Sequence, residues 1–232
     1  MDPRTALVTG ASRGLGRALA TALNARGWRL IVDGRDPTRL ATAVAALPDP
    51  ALVTALPGDV ADPGHRAALA AAVGPRLDLL VNNASDLGPS PLPRLAQLDP
   101  GDLARVLAVN TVAPLALFQA LLPALAPGAA VVQISSDAAV EAYEGWGGYG
   151  ASKAALDHLS AVLAVEHPTL RIYAVDPGDM RTDMHQAAFP GQDISDRPTP
   201  ESVVPGLLAL LDADLPSGRY RAADLVPAEA AR

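Results

Sequence analysis

The 232-residue chain contains no cysteine, which excludes disulfides, thiolate metal sites and cysteine nucleophiles. Aromatic residues make up only 3% of it, so any cluster of them marks something beyond generic packing. Positive charge is outnumbered: 18 Lys and Arg against 25 Asp and Glu leave a net charge of −7. Neither nucleic acid nor an anionic membrane is recognised by such a surface, although a small basic site for one phosphate is compatible with it. The four histidines, His65, His158, His167 and His185, have no metal-ligand spacing, and no metal is expected. No apolar run reaches membrane-spanning length without a charge or a proline. "MDPR" leads straight into a short apolar strand rather than a signal peptide. These absences point to a cytoplasmic protein without nucleic-acid or membrane partners.

What is present is apolar material, 50% of the chain, mostly Ala, Leu and Val and enough for a sizeable core. Short apolar runs at 5–10, 29–34, 51–56, 77–84, 129–136 and 170–178 read as strands. Their apolar residues are continuous rather than alternating, as in parallel strands buried on both faces. Helices are expected between them at 14–26, 37–47, 62–73, 100–126, 149–166 and 200–212. This alternation predicts an α/β fold, a doubly wound parallel sheet with helices on both faces. No linker or repeat divides it, so one domain over 1–232 is expected. Ligands of such folds bind at the carboxyl ends of the strands.

The unusual residues fall at those ends. "TGASRGLG" (9–16) follows the first strand and opens a helix, with Gly10, Gly14 and Gly16 spaced as G-x-x-x-G-x-G around Ser12, Arg13 and Leu15. Such glycines permit a tight turn and close backbone approach to a pyrophosphate at the helix N-terminus. Asp59 and Val60, in "GDV", stand where an adenine would lie, and "NNAS" (82–85), with Asn82 and Ala84, would floor the same cleft. Asn82 and Asn83 serve equally well as loop caps. At the end of the second strand two residues conflict: Asp33 suits the ribose 2′-hydroxyl of NAD, and Arg35 suits the 2′-phosphate of NADP. Arg13 and Arg39 add to the positive side, so NADP(H) is favoured, with NAD(H) possible.

Tyr149 and Lys153 are four positions apart and share a helix face. A nearby ammonium would stabilise a phenolate and lower the phenol pKa, fitting the pair for proton transfer at an alcohol or carbonyl oxygen; a packed tyrosine beside a solvated lysine gives the same spacing. Ser136, at the end of the fifth strand, would emerge beside that helix, with Ser135 as the alternative. Asn110 precedes Pro114 by four residues, so its carbonyl lacks the usual N–H partner and the helix should be interrupted there. Asp137, Tyr143, Trp146, Met184, His185 and Phe189 gather the rare residue types where a substrate would sit. They suggest an apolar, partly aromatic pocket.

Together these motifs resemble the short-chain dehydrogenase/reductase family. "TGASRGLG" is similar to its T-G-x-x-x-G-x-G, "NNAS" to its N-N-A-G, "YGASK" to its Y-x-x-x-K, and "DPGDMRT" (176–182) to its P-G segment. Ser136 also lies thirteen residues before Tyr149, as in the family. The resemblance implies a Rossmann-type fold with Tyr149 as acid/base, Ser136 orienting the substrate, Lys153 tuning Tyr149 and holding the nicotinamide ribose, and Asn110 anchoring a relay water. Pro177, Gly178, Met180 and Thr182 would meet the nicotinamide end, with Ile134 bordering it. The implied activity is an NADP(H)-dependent interconversion of ketone and secondary alcohol. A non-catalytic cofactor sensor or scaffold, and reduction of C=N or C=C bonds, are the alternatives. Two departures stand out: Ser85 replaces a glycine, and the C-terminal "SGRYRAADLVPAEAAR" lacks the family's terminal glycine pair. The second favours a homodimer through the 100–126 and 149–166 helices, with a tetramer possible.

Overall fold

The computed structural model describes residues 3–213 and 215–225; the end of the C-terminal segment discussed above lies outside them. The six apolar runs pair as parallel strands β1 (Thr5–Val8), β2 (Arg29–Gly34), β3 (Val53–Pro57), β4 (Leu77–Asn82), β5 (Leu125–Ile134) and β6 (Arg171–Asp176). A seventh, β7 (Gly218–Arg221), joins the edge parallel to β6, giving the order β3-β2-β1-β4-β5-β6-β7. Its sequence, "GRYR", has no apolar run, and sequence patterning does not reveal it.

Helices α1 (Gly14–Ala25), α2 (Pro37–Ala45), α3 (Pro63–Val73), α4 (Pro100–Leu107), α5 (Ala113–Leu121), α6 (Gly147–Glu166), α7 (Asp183–Ala188) and α8 (Pro200–Asp212) cover the sheet. An Asp-Pro pair starts three of them. Asp36, Asp62 and Asp99 each accept from first-turn N–H groups of α2, α3 and α4, and the following proline is preset for a helix start. The inner strands are largely apolar because both of their faces are covered. Val8, Leu30, Val32 and Val81 pack with Leu19, Leu23, Leu207 and Leu210 on one side. On the other, Leu7, Ile31, Leu80 and Val131 pack with Leu69, Phe118, Leu121 and Leu163.

The expected 100–126 helix ends at Leu121, because the chain after it turns into a β5 that begins earlier than the apolar pattern suggested. Its interruption at Asn110 takes the form of a π-helical turn, Ala108–Val112, between α4 and α5. Pro114 cannot donate to Asn110, and the wider turn accommodates that loss.

Candidate active site

The carboxyl ends of the strands enclose a cleft of about 970 Å³. On its first wall lie Gly10, Ser12, Arg13, Gly14 and Leu15. Gly16 lies beneath, where a Cβ would stand 2.5 Å from the Gly10 carbonyl oxygen and 2.4 Å from Asn83 Nδ2; only glycine permits so close an approach. Unlike α2, α3 and α4, α1 has no side-chain cap. Its free N–H groups and positive dipole end open on the cleft, an environment for an anion.

At the end of β2, Asp33 and Arg35 both line the cleft but differ in burial. Asp33 is 2% exposed, its Oδ1 accepting the Gly10 N–H at 2.6 Å and its Oδ2 paired with His65 Nε2 at 3.1 Å. The carboxylate supports the glycine loop from below. Arg35 is exposed on the cleft wall. Arg13 and Arg39 both reach Asp183 Oδ2, at 2.7 and 3.2 Å, and these bonds hold the Asp183 carboxyl below its usual range. Asp59 and Val60 line the cleft, with Asp59 Oδ1 accepting from Ala61 N–H.

The expectation for Asn82 is corrected: it is buried and outside the cleft wall. The pleat turns the next residue inward, so Asn83 lines the cleft with Ala84, its amide donating to the carbonyls of Thr9 (2.8 Å) and Gly10 (3.2 Å). Asn110 is also buried beneath the wall. Its Oδ1 accepts from Asp86 N–H and Ser85 Oγ, and its Nδ2 donates to Asp86 O and Ser152 Oγ. That side chain clamps the loop after β4 to α6, one residue from Lys153.

At the reactive end, α6 starts hard against the loop after β5: a Cβ on Gly150 would be 2.6 Å from Ala138 O. This proximity brings Tyr149, 8% exposed, to Ser136 on the cleft wall. Ser136 Oγ donates to Asp137 Oδ1 at 2.9 Å. Ser135 is 1% exposed, and its hydroxyl has no partner among the described residues. Lys153 Nζ donates to Ile134 O at 2.7 Å and stands 5.5 Å from the centre of the Tyr149 ring. Burial pushes the Tyr149 phenol up to about 12, against opposing hydrogen bonds from Ser85 and Ser136. The expected lowering of that phenol is therefore absent from the free protein. Burial also brings Lys153 down to about 8, with Asp157 opposing.

Pro177, Gly178, Met180, Thr182, Met184 and His185 complete the wall, and Thr182 caps α7 by accepting the His185 N–H. Of the expected substrate residues, Asp137 and Trp146 also line the cleft, but Tyr143 and Phe189 do not. Tyr143 is 43% exposed and donates to Glu141 Oε2 at 2.7 Å. Phe189 backs the wall from behind, its ring 6.0 Å from Trp146 and 4.9 Å from His185. Sequence reading misses His65, Asn83 and Asp183, whose roles depend on partners distant in the chain. Only the alternation of a strand, applied to Asn82 and Asn83, could have signalled one of them.

The geometry has counterparts among known proteins. The family model for short chain dehydrogenases matches residues 4–193. The oxidoreductase YciK of Escherichia coli (strain K12) is 32% identical over 227 residues, 92% of this chain and 88% of that one. A Pseudomonas syringae protein assigned to the short chain dehydrogenases superposes with a TM-score of 0.87 at 32% identity, covering 94% of each chain. A protein of Escherichia coli CFT073, solved in complex with NADPH, superposes with a TM-score of 0.83 at 31% identity, covering 96% of this chain and 97% of that one. The chain belongs to the short chain dehydrogenase family of oxidoreductases.

Proposed function

We propose that residues 1–232 act as one oxidoreductase domain that uses NADP(H) to interconvert a ketone and a secondary alcohol. The observation that carries this reading is the convergence of the Tyr149 phenol, the Ser136 hydroxyl and the Lys153 ammonium in the same cleft as the uncapped N-terminus of α1. The bound cofactor would supply hydride chemistry at its nicotinamide ring; the protein supplies the proton. A phenol pushed up to about 12 keeps its proton at neutral pH, as a general acid for a ketone oxygen must. Ser136 offers a second hydroxyl to the same oxygen. Lys153 is more than half charged below about pH 8 and sits where it would compensate negative charge on the phenol oxygen.

The residues present fit a phosphorylated dinucleotide. The cradle under Gly10 and Gly16 has no room for a side chain, and the α1 amides have no side-chain acceptor. Arg35 is free of ion pairs among the described residues and lines the same cleft as Arg13 and Arg39, which share Asp183; arginines there suit a 2′-phosphate. Asp33, the residue that favoured NAD, is committed to Gly10 and His65. The relative solved with NADPH supports the same choice.

A panel of aromatic and alicyclic ketones assayed by NADPH absorbance tests the reading. A substrate turned over with kcat/KM at least ten times higher for NADPH than for NADH is the expected outcome; a clear NADH preference would sink the cofactor assignment. Gly16→Ala should abolish NADPH binding in a fluorescence titration, because its Cβ would collide with the Gly10 carbonyl; unchanged affinity would remove the glycine loop from the account. For assembly, we propose a homodimer through α4–α5 and α6. Pro100–Leu121 is apolar and long enough to cross a membrane, yet nearly half of its most apolar stretch is buried in the fold. The exposed Val112 and Leu122, which flank α5, and Val162 and Val165 on α6 suit a partner copy instead.

A further inference from the structure

β7 is the strand that sequence patterning does not reveal, and its Arg219 reaches the reactive end of the site. Arg219 Nη2 donates to the Ser136 carbonyl at 2.9 Å and stands 3.7 Å from Asp176 Oδ2. Its Nε donates to Asp157 Oδ2 at 3.0 Å. One guanidinium thus ties together the turn capped by Ser136, the end of β6, and α6, which carries Tyr149, Lys153 and Asp157. Arg219 stands behind the cleft wall rather than on it.

Ser136 is where the chain leaves the sheet. The Ser135 N–H still pairs with the Val175 carbonyl at 2.7 Å, and Ser136 then caps the short turn Asp137–Ala139. The Ser136 carbonyl accepts from the Ala139 N–H at 3.1 Å and from Arg219. The first of these donors belongs to the same turn and moves with it. The guanidinium does not: it grips the Ser136 carbonyl at one end and α6 at the other. A planar fork with donors in fixed positions suits that task.

β7 does not need this grip to keep its own place. It pairs with β6 from Tyr173 and Gly218 to Asp176 and Arg221. Tyr220 meets Tyr173 edge-on at 5.8 Å, and Ser217 Oγ accepts the Ile172 N–H at 2.9 Å. The charge of Arg219 has a separate use, since the Asp157 and Asp176 side chains are 14% and 5% exposed. Asp157 Oδ1 is buried without a hydrogen-bond partner among the described residues, and carboxylates so placed are costly unless paired. Lysine would supply that charge without the fork, which separates the two uses.

We propose that Arg219 is a positioning residue, whose fork sets the Ser136 hydroxyl in place relative to Tyr149 on α6. The proposal rests on the reading of Ser136 and Tyr149 as the pair that holds the substrate oxygen.

The test measures ketone reduction by Arg219→Lys and Arg219→Met, each alone and combined with Ser136→Ala, on whichever ketone the panel identifies. Misplacing a reacting group by about 1 Å costs about 100-fold, so kcat should fall about tenfold for Arg219→Lys and about 30-fold for Arg219→Met. NADPH affinity by fluorescence should stay within about twofold, since the lost contact places a group for the reaction and holds no cofactor. In the Ser136→Ala background the Arg219→Lys penalty should shrink below about twofold, because the hydroxyl it places is gone. Thermal unfolding reports whether each variant folds, and Arg219→Lys carries the test if Arg219→Met does not. If Arg219→Lys keeps full kcat, or loses as much with Ser136→Ala as without it, the Arg219 role is overturned alone. If Ser136→Ala itself retains full turnover, the reading of Ser136 falls and takes the Arg219 role with it.

Discussion

Replacing Tyr149 with phenylalanine is expected to lower ketone reduction by about 10³-fold, within the range a positioned general acid contributes, and to leave NADPH affinity nearly unchanged. The substitution removes one oxygen and little else. The ring would still meet Trp146 edge-on at 5.7 Å and still pack with Leu87 and Ala138. Lys153 would keep its bond to the Ile134 carbonyl. A loss of turnover with intact binding then isolates proton donation from cleft architecture. The variant also separates an enzyme from a cofactor-binding sensor, since a sensor's response would survive it. Steady-state kinetics with a fluorescence titration of NADPH on the same preparation decide the matter. Residual reduction above about a tenth of the original rate would exceed what a lost general acid permits and would remove Tyr149 from the mechanism.

The fold was legible largely because its signals are local. Continuous apolar runs mark strands covered on both faces, and three Asp-Pro pairs mark helix starts. β7 was not legible, since a four-residue edge strand of Gly, Arg and Tyr needs little apolar surface and is held by pairing with β6. In the site, the residues fixed by motif spacing assemble in one cleft, as Tyr149, Lys153, Ser136 and the glycine loop do. What spacing could not convey is direction and partnership. Asp33 reads as a ribose ligand, but its two oxygens are taken by the Gly10 N–H and by His65, thirty-two positions later in the chain. Asp183 belongs to no motif, yet it holds both Arg13 and Arg39. The Tyr149 pKa departs from the expectation for a related reason. The i, i+4 spacing predicts an ammonium near the phenol, but it does not report the burial that raises the phenol.

Lys153→Met should produce an opposite pair of effects: turnover lower by about 10²-fold and a protein more stable at neutral pH. Lys153 is 2% exposed and has the Ile134 carbonyl as its hydrogen-bond acceptor, so its charge is carried at a desolvation cost. Methionine fills a similar volume without charge, although it leaves that carbonyl short of a donor. The pH dependence identifies the cause. Lys153 has its pKa near 8 in the folded protein against an ordinary 10.5. Between those values the unfolded chain binds a proton that the folded chain does not, so stability from this group rises with pH across that window. Below pH 8 both states are protonated, and the full penalty, on the order of 3 kcal/mol, applies. The variant lacks this dependence. Its advantage over the unaltered protein should be largest near pH 7, about 1–2 kcal/mol after the lost hydrogen bond is counted, and should shrink or reverse by pH 10. Urea denaturation at pH 7 and pH 10 measures both gaps. A variant equally destabilised at both pH values would show that the lysine is held by packing and that its buried charge costs the fold nothing.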